Sequence, residues 1–392
     1  MNVLPPNALQ IPLSAPDIGE AEMEAVASVL RSGRLSLGPK LEEFEHCIAT
    51  YIGVPHAVAV SSGTAGLHLC LLARGIGAGD AVLVPSFTFI AAANAIRFVG
   101  ATPVFVDIDP ATLNIDPEKI AAAITPQTRA ILVVHTFGVP AAMEPILALA
   151  RKHNLLIVED ACEALGAEYT GEKVGSFGDA GVFAFYPNKQ ITTGEGGMIV
   201  THDAKLAARL RALRNQGRTG SDWFDHQELG YNYRLSELAC ALGIAQMQRI
   251  DAILAQRERV ACAYDEALRA EARLLLPPLT LPARHISWFV YVVRLRAEFS
   301  QSDRDALLTA MAVHGITCGR YFAPIHLQPC YEQWRHRESL PVTESQAART
   351  LALPFSTNLT QKQIDAVVCA LRTSLAAIVN RATGELHATS CS

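Results

Sequence analysis

Between about residue 57 and residue 200, short apolar runs alternate with alanine-rich stretches of helical composition. The runs predict five strands, at residues 57–61, 81–85, 103–107, 130–134 and 155–160. Between them lie segments such as TAGLHLCLLARG and MEPILALARKHN, which predict helices. Continuous apolar strands separated by helices are typical of a parallel sheet covered on both faces. The pattern therefore predicts an α/β fold, whose ligands bind at the carboxyl ends of the strands.

Small or polar residues follow several of these strands, at 61–64, at 85–88, at Asp107 and at 159–160. Because the carboxyl ends of parallel strands meet at one edge of a sheet, these side chains are expected to lie close together. The pattern alone therefore predicts a ligand-binding edge.

The pattern changes near Leu235. Residues 235–270 predict one long helix, in which a kink is left open, and the proline-rich stretch LLLPPLTLP at 274–282 marks a break. Beyond the break, the sequence predicts strands at 287–295 and 316–322 and a closing helix at 360–379. It also predicts a helix at 302–315, with Ser302 as its N-cap and Gly315 as its stop.

These two sequence patterns, before and after about Leu235, predict two domains. We assign residues 1–255, with the N-terminal segment, to a large domain and residues 256–380 to a smaller α+β domain. Residues 381–392 are expected to form a flexible tail.

Composition narrows the class of protein. The chain has 392 residues, of which 50% are hydrophobic, and a formal net charge of −5. The hydrophobic fraction excludes a mainly disordered chain. The negative charge leaves no basic field to attract nucleic acid or an anionic membrane. No apolar run approaches the roughly 18 residues of a membrane span, so we expect neither nucleic acid nor membrane as a partner.

The cysteines and histidines suggest a cytoplasmic enzyme of small metabolites. Nine cysteines include no CxxC pair, which is typical of a reducing compartment. The start, MNVLPPNALQIPL, has no basic region followed by an apolar one, so no signal peptide is expected. The twelve histidines form no HExxH or HxH motif, so no metal site is expected.

The segment FAFYPNKQITTGEGG, residues 183–197, places Lys189 between an apolar run and a glycine-rich turn. A lysine in a site of low dielectric can form a Schiff base with a carbonyl group. A lone lysine in a loop is more often an ordinary surface residue, so the interpretation depends on its neighbours. Glu195, in the turn at 192–197, either lies near a substrate or only shapes the lysine loop.

Asp160 ends the fifth predicted strand, in VEDACEALGAEY. A carboxylate there can pair with a buried cationic ring nitrogen, as in enzymes that use pyridoxal 5′-phosphate (PLP), where the pair lets the ring act as an electron sink. A helix N-cap is the alternative role. The stretch between Asp160 and Lys189 is long enough for a strand and a turn that bring both residues to one edge.

Gly63 and Thr64, in SSGTAGLHL, stand between a predicted strand and a predicted helix. A helix N-terminus offers N–H donors and a positive dipole end to a phosphate group. The motif alone is weak, because an ordinary threonine-capped turn has the same sequence. It is neither a Walker A motif nor a nicotinamide fingerprint. Phe87 and Phe89 follow the second strand, where a ring could stack on a flat cofactor or pack in the core.

Together these segments resemble the DegT/DnrJ/StrS family of PLP-dependent sugar aminotransferases. The matching stretches are SSGTAGLHL, VPSFTFIAAANAI, PVFVDIDPATLNIDPEKI, HTFGVPAAMEPI, VEDACEALGAEYTGEKVGSFGDAGVFAFYPNKQITTGEGGMIVT, LRNQGR and GYNYRLSELACALG. The similarity extends from about residue 10 to residue 375, and the ordered set is far more specific than any one member. The resemblance implies a fold-type-I PLP-dependent transferase, with a large domain of mostly parallel sheet, a smaller C-terminal α+β domain and a homodimer.

The resemblance also implies roles for single residues. Lys189 would form the Schiff base with PLP and transfer the proton, and Asp160 would pair with the pyridine nitrogen. Gly63 and Thr64 would hold the phosphate.

Three further positions match the cofactor site. Phe89, or in its place Phe87, would stack on the ring. Glu163 stands where many relatives carry glutamine or histidine near the PLP 3-hydroxyl, which resembles the perosamine-synthase-like branch. Ala184 replaces a serine whose hydroxyl contacts phosphate, so phosphate binding would rely more on Thr64 and other donors.

Residues further along the chain match positions for the partner subunit and the substrate. Asn232 in GYNYR matches a residue that reaches the partner's phosphate, so each active site would need both chains. In RYFAPIHLQP, His326 and Tyr321 are candidate substrate contacts, and a structural loop histidine is the alternative role for His326. Arg234 and Arg320 are candidates for the positive charge that an anionic nucleotide requires.

The resemblance implies that an amino group moves from L-glutamate to a keto-sugar, with pyridoxamine phosphate formed between the two half-reactions. The first candidate acceptor is a nucleotide-linked 4-keto, or 3-keto, 6-deoxyhexose. Lysine at position 189, in place of histidine, favours amino transfer over the dehydratases of the family. The alternatives are a keto-cyclitol aminotransferase of aminoglycoside-type biosynthesis, a PLP-binding regulatory protein without turnover, and a protein that binds no PLP.

Overall fold

The computed structural model describes residues 10–220, 224–334 and 339–383. Residues 1–9 lie outside the described residues, and they include most of the N-terminal segment in which no signal peptide is expected. The same holds for residues 384–392 of the expected tail, whereas residues 381–383 belong to the last helix.

The chain forms strands and helices in alternation through its first half. The strands are β1 (His56–Val60), β2 (Ala81–Pro85), β3 (Thr102–Val106), β4 (Thr128–Val134), β5 (Leu156–Asp160), β6 (Glu168–Tyr169), β7 (Glu172–Lys173), β8 (Ala180–Ala184), β9 (Gly197–Thr201), β10 (Leu274–Leu275), β11 (Arg284–His285), β12 (Tyr291–Leu295) and β13 (Thr350–Leu353). The α-helices are α1 (Glu20–Ser32), α2 (Pro39–Ile52), α3 (Gly63–Ala73), α4 (Ala91–Phe98), α5 (Pro117–Ala123), α6 (Met143–His153), α7 (Ala204–Arg214), α8 (Glu237–Met247), α9 (Ile250–Leu268), α10 (Gln301–Val313), α11 (Pro341–Ala347) and α12 (Gln361–Thr383). Short 3₁₀ turns lie at Thr136–Gly138, Ile325–Leu327 and Pro329–Trp334.

The large sheet confirms the predicted α/β fold. Its strand order is β1-β9-β8-β5-β4-β2-β3. The pairs from β8 to β3 are parallel, and only β9 runs antiparallel to both of its neighbours. The five predicted strands are β1 to β5, each within two residues of its predicted bounds. Their carboxyl ends form one edge of the sheet, together with the end of β8.

Both faces of this sheet are buried, as the continuous apolar runs require. Val58 and Val60 of β1 belong to the core beneath α3, α4 and α7, whereas Ala57 and Ala59 belong to the core beneath α2, α6 and α8. Successive side chains of a strand point to opposite faces, so one five-residue run contributes to both cores.

A further core, the C-terminal core, lies in the last third of the chain. The antiparallel strands β10, β12 and β13 pack with α10 and α12 around it. Helix α9 connects it to the large sheet, because Ile253 packs in the core beneath α2, α6 and α8 and Tyr264 packs in the C-terminal core. Ile11, near the N-terminus, also packs in the C-terminal core and pairs with Ile316.

The predicted helix at 235–270 is in fact two helices, α8 and α9, bent by 66°. The bend lies at Gln248 and Arg249, between the two helices. The Arg249 guanidinium binds Glu22 Oε1 at 2.8 Å and Asp17 Oδ1 at 2.6 Å. No single helix of the described chain is long and apolar enough to cross a membrane; only this bent pair, taken together, reaches the necessary length and composition.

Three local predictions in the second half of the chain differ from the structure. Ser300, not Ser302, caps α10, because its Oγ accepts the Asp303 N–H at 3.2 Å and the Asp303 carboxylate accepts the Ser300 N–H at 2.8 Å. Residues 316–322 do not form a strand, since this segment makes only isolated bridges, at Ile316 and Gly319. The strand predicted at 287–295 begins later, at Tyr291.

Candidate active site

A cavity of about 470 Å³ lies at the carboxyl edge of the large sheet. The chain reaches it after β1, β2, β5 and β8, and again from the segments around Phe289 and Tyr321. The predicted site residues that line it are Gly63, Thr64, Phe89, Asp160, Glu163, Lys189 and Tyr321, together with Ala184 and Glu195.

Asp160 is the last residue of β5 and lines the cavity with a buried side chain. Its Oδ1 accepts the Cys162 N–H at 3.2 Å. Burial raises the pKa of this carboxyl, although the hydrogen bonds of Cys162 and the charge of Lys189 oppose that rise. An ionised carboxylate held here is therefore stabilised by any cation that enters the cavity.

Lys189 lies in the loop after β8. The loop is fixed by its backbone, because the Lys189 N–H donates to Tyr186 O at 2.9 Å and its carbonyl accepts Arg257 Nη2 at 2.7 Å. The side chain is only 14% exposed. Its Nζ lies 3.6 Å from Glu163 Oε1 and 4.1 Å from the centre of the Phe289 ring. The amine is thus held at the cavity wall between a carboxylate and an aromatic face.

Glu163 is the second buried carboxylate of the cavity. Its Oε2 accepts the Phe137 N–H at 2.9 Å. Burial raises the pKa of Glu163, and the nearby Lys189 amine acts against that rise. Asp160 and Glu163 together face one lysine, so the cavity favours a further positive charge.

Helix α3 begins at the cavity, directly after β1. Ser62 Oγ caps it by accepting the Ala65 N–H at 3.1 Å. Gly63 and Thr64 form the first turn of the helix and line the cavity. The positive end of the helix dipole, with its N–H donors, therefore faces the same space as Lys189 and Asp160.

Gly63 has no room for a side chain. A Cβ at this position would lie 2.8 Å from both Ala184 Cβ and Cys162 Sγ. We expect Gly63→Ala to displace the start of α3 and to destabilise the protein by about 1–3 kcal/mol. Binding of inorganic phosphate or PLP, measured by calorimetry, should weaken at the same time.

Gly77→Ala is a matched control for this variant. A Cβ at Gly77 would meet only the Val99 carbonyl oxygen, at 3.7 Å. If Gly63→Ala binds phosphate and PLP as tightly as Gly77→Ala does, then the start of α3 is not the phosphate site.

The residues at the cavity fit PLP. Asp160 can accept a hydrogen bond from the protonated ring nitrogen, Lys189 can reach an aldehyde carbon, and the start of α3 can hold a phosphate group. Phe89 lies at the wall with 61% of its surface exposed, so its ring is available to cover a flat ligand. Asn188 Oδ1, which is buried and without a hydrogen-bond partner, adds an unused acceptor at the same wall.

Some predicted site residues do not reach this cavity. Phe87 is fully buried and packs edge-on against Phe137 and Phe322, so it belongs to the core. His326 is buried as well, with Nδ1 2.6 Å from Ser86 Oγ and Nε2 3.2 Å from Glu344 Oε1. These contacts match the structural alternative for His326.

The other three residues lie away from the cavity of this chain. Asn232 is exposed, and its backbone pairs with Asn215. Arg234 donates to Asn215 Oδ1 at 2.9 Å; burial lowers the pKa of its guanidinium, and the charge of Arg218 lowers it further. Arg320 pairs at the surface with Asp305, at 3.1 Å.

The sequence argument missed several cavity residues. Asn188 directly precedes Lys189, and its Nδ2 donates to the Tyr321 hydroxyl at 3.4 Å. Phe289 follows a tryptophan in an apolar run, a pattern that does not distinguish a cavity wall from a core. Tyr186, which is 52% exposed, lines the cavity three residues before the lysine. Across the residues that the structure describes, no group of three or more His, Cys, Asp or Glu side chains could hold a metal ion.

Comparison with known proteins identifies relatives along nearly the whole chain. The model of the DegT/DnrJ/EryC1/StrS aminotransferase family matches residues 16–372. GDP-perosamine synthase of Caulobacter vibrioides is 44% identical over 364 residues, which cover 92% of this chain and 97% of that protein.

Two solved structures are similar throughout. The aminotransferase TlmJ from Streptoalloteichus hindustanus superimposes with a TM-score of 0.89 at 35% identity, covering 94% of this chain and all of TlmJ. The PLP form of the putative sugar aminotransferase Spr1654 from Streptococcus pneumoniae gives a TM-score of 0.89 at 28% identity, with 94% and 100% coverage.

Proposed function

Because the chain belongs to the DegT/DnrJ/EryC1/StrS aminotransferase family, we propose that it transfers the amino group of L-glutamate to a nucleotide-linked keto-sugar. The chain is a PLP-dependent aminotransferase. The observation that carries the proposal is the meeting of Lys189, Asp160 and the start of α3 around one cavity. The acceptor that we propose is a 4-keto, or else a 3-keto, 6-deoxyhexose, since GDP-perosamine synthase is a relative at 44% identity.

In this proposal, each cavity residue has a separate task towards PLP. The Asp160 carboxylate accepts a hydrogen bond from the protonated ring nitrogen. Gly63 and Thr64 hold the phosphate, and Phe89 covers one face of the ring. Glu163 is the acidic neighbour of the cofactor's phenolic oxygen. Bound PLP supplies a carbonyl carbon for amine exchange and a ring that delocalises the electrons of a broken C–H bond.

Lys189 is the proposed base and acid of the reaction. Its amine moves a proton from the α-carbon of glutamate and returns one to the sugar carbon. Glu163 Oε1, at 3.6 Å, and the Phe289 ring restrict where that amine can lie. A fixed amine delivers its proton to one face of the sugar carbon only, which determines the configuration of the product.

The proposal includes a homodimer with shared active sites. Phe89 and Tyr186 are exposed aromatic side chains that line the cavity, and Leu229, close in sequence to Asn232, is 86% exposed. Exposed apolar side chains of this kind favour a protein interface. Asn232 would then serve the phosphate site of the partner, and Arg234 remains a candidate for the anionic nucleotide.

We also propose that Tyr321 contacts the substrate, because it lines the cavity and its hydroxyl accepts an N–H of Asn188 at 3.4 Å. A cytoplasmic location is consistent with the eight cysteines of the described chain, all of which are free thiols.

The acceptor can be tested with a panel of substrates. The purified enzyme is incubated with L-glutamate and with nucleotide-linked 4-keto-6-deoxyhexoses, 3-keto-6-deoxyhexoses or keto-inositols, and kcat/KM is measured for each. We expect the nucleotide-linked 4-keto sugars to have the highest kcat/KM. A preference for keto-inositols would support the cyclitol alternative, and turnover of none of them would contradict the proposed acceptor.

A further inference from the structure

Glu159 is a fully buried carboxylate that the reaction does not use. It precedes Asp160 on β5 and therefore points to the opposite face of the strand. Its Oε1 accepts the N–H groups of Phe177 and Gly178, at 2.8 and 2.7 Å. Its Oε2 accepts the Gly175 N–H at 2.7 Å and lies 3.0 Å from His135 Nε2. Four donors thus converge on one side chain with no exposed surface.

The hydrogen bonds of His135 fix its tautomer. Its Nδ1 accepts the Ala141 N–H at 3.0 Å and therefore carries no proton. The proton of the neutral ring then lies on Nε2 and is donated to Glu159 Oε2. His135 is fully buried, so both of its ring nitrogens are satisfied without water.

This pair connects to the cavity along two routes. The first passes through His135 to the turn Thr136–Gly138, whose Phe137 N–H holds Glu163 beside Lys189. The second passes through the loop at residues 175–178 to β8, which leads to Lys189.

We propose that Glu159 and His135 form a positioning pair, which fixes Glu163 and the Lys189 loop relative to Asp160 without contacting PLP. The inference rests on the proposed function, because that function defines the geometry that the pair maintains. The first route holds Glu163 beside the Lys189 amine, and the second holds β8, the strand that precedes the Lys189 loop. A displacement of about 1 Å at such groups can cost about 100-fold in rate.

Glu159→Gln tests the pair. The glutamine side chain replaces one carboxylate oxygen with an NH₂ group, which donates hydrogen bonds and does not accept them. That NH₂ group faces either the donors of Gly175 and His135 or the donors of Phe177 and Gly178. We expect the rate of the half-reaction of holoenzyme with L-glutamate to fall about 100-fold. The dissociation constant for PLP, measured by equilibrium dialysis, should rise about tenfold.

Glu237→Gln is the matched control. Glu237 is another buried carboxylate, at the start of α8, whose Oε1 accepts the Leu41 N–H at 3.0 Å and whose Oε2 accepts the Lys40 N–H at 2.9 Å. This variant should lower the unfolding temperature and leave the glutamate rate and the PLP dissociation constant within about twofold of wild type. If Glu159→Gln behaves in the same way, the pair is structural only and the proposal is overturned.

Two variants of His135 keep the test decisive if Glu159→Gln does not fold. In His135→Gln, the side-chain amide can replace the Nε2–H that donates to Glu159. In His135→Asn, the side-chain oxygen can replace the Nδ1 atom that accepts the Ala141 N–H. We expect His135→Gln to retain more of the PLP affinity and of the glutamate rate than His135→Asn. The opposite order, or equal values, would contradict the role assigned to the Glu159 contact.

The proposed function and this inference can fail separately. If wild-type holoenzyme does not react with glutamate, the proposed function fails, yet the PLP dissociation constants of the variants still test the pair. If wild type reacts and the Glu159 and His135 variants match it in both quantities, only the inference fails.

Discussion

Lys189→Ala is expected to abolish amino transfer and to remove the visible absorbance of the bound cofactor. The variant loses the only amine that lines the cavity among the described residues, and with it both the covalent link and the proton carrier. Removal of a general acid–base group alone costs about 10²–10⁴-fold in rate, and loss of the nucleophile adds to that cost. Turnover with L-glutamate and a keto-sugar nucleotide, together with an absorbance spectrum, measures both effects.

Lys173→Ala is a matched control for this prediction. Lys173 has a similar burial, with 24% of its side chain exposed, and its Nζ lies 3.0 Å from Glu168 Oε1. It stands on β7, away from the cavity. We expect this variant to keep the spectrum and the turnover of wild type. Transamination retained by Lys189→Ala would refute the assignment of the lysine.

Asp160→Asn is expected to lower turnover by about 150- to 5,000-fold. Asparagine keeps the acceptor of the Cys162 N–H but cannot carry the charge that pairs with a protonated ring nitrogen. Removing one partner from a buried ion pair costs about 3–5 kcal/mol, and each 1.36 kcal/mol is a factor of ten in rate. PLP affinity should fall together with turnover.

Asp160→Asn should not destabilise the protein without cofactor, although it impairs the holoenzyme. Burial raises the pKa of Asp160, so its ionised form is costly until a cation binds. We therefore expect the unfolding temperature of the apoprotein to stay constant or to rise in Asp160→Asn. Asp179→Asn should lower it, because the Asp179 carboxylate accepts the Ile157 N–H at 2.9 Å and Arg74 Nη2 at 2.7 Å. A variant with wild-type turnover would show that Asp160 does not serve the ring nitrogen.

The central sheet could be predicted because its signal is local. Strands β1 to β5 are apolar runs buried on both faces, and helix-forming segments separate them. The sequence left a kink in the helix at 235–270 open, since the apolar pattern continues through the bend between α8 and α9. At the bend, Arg249 binds Glu22 and Asp17, which are far away in sequence.

The site could be predicted where residues stand at strand ends. Asp160 and Lys189 follow β5 and β8, and neighbouring parallel strands bring their carboxyl ends to one edge. His326 and Phe289 show why the rest could not be predicted. His326 lies in a segment that resembles a substrate loop but is buried against Ser86 and Glu344, and Phe289 reaches the cavity from an aromatic cluster that it shares with Phe87 and Phe137. Only tertiary packing determines which of them lines the cavity.

The half-reaction with L-glutamate alone tests most directly that this cavity transfers amino groups. Purified holoenzyme is mixed with L-glutamate in the absence of any sugar, and the 2-oxoglutarate released is counted against the bound cofactor. We predict that about one 2-oxoglutarate forms per bound cofactor, with loss of the visible absorbance band, and that Lys189→Ala forms none. A wild-type protein that binds PLP and releases no 2-oxoglutarate would contradict the account and would favour a PLP-binding protein without turnover.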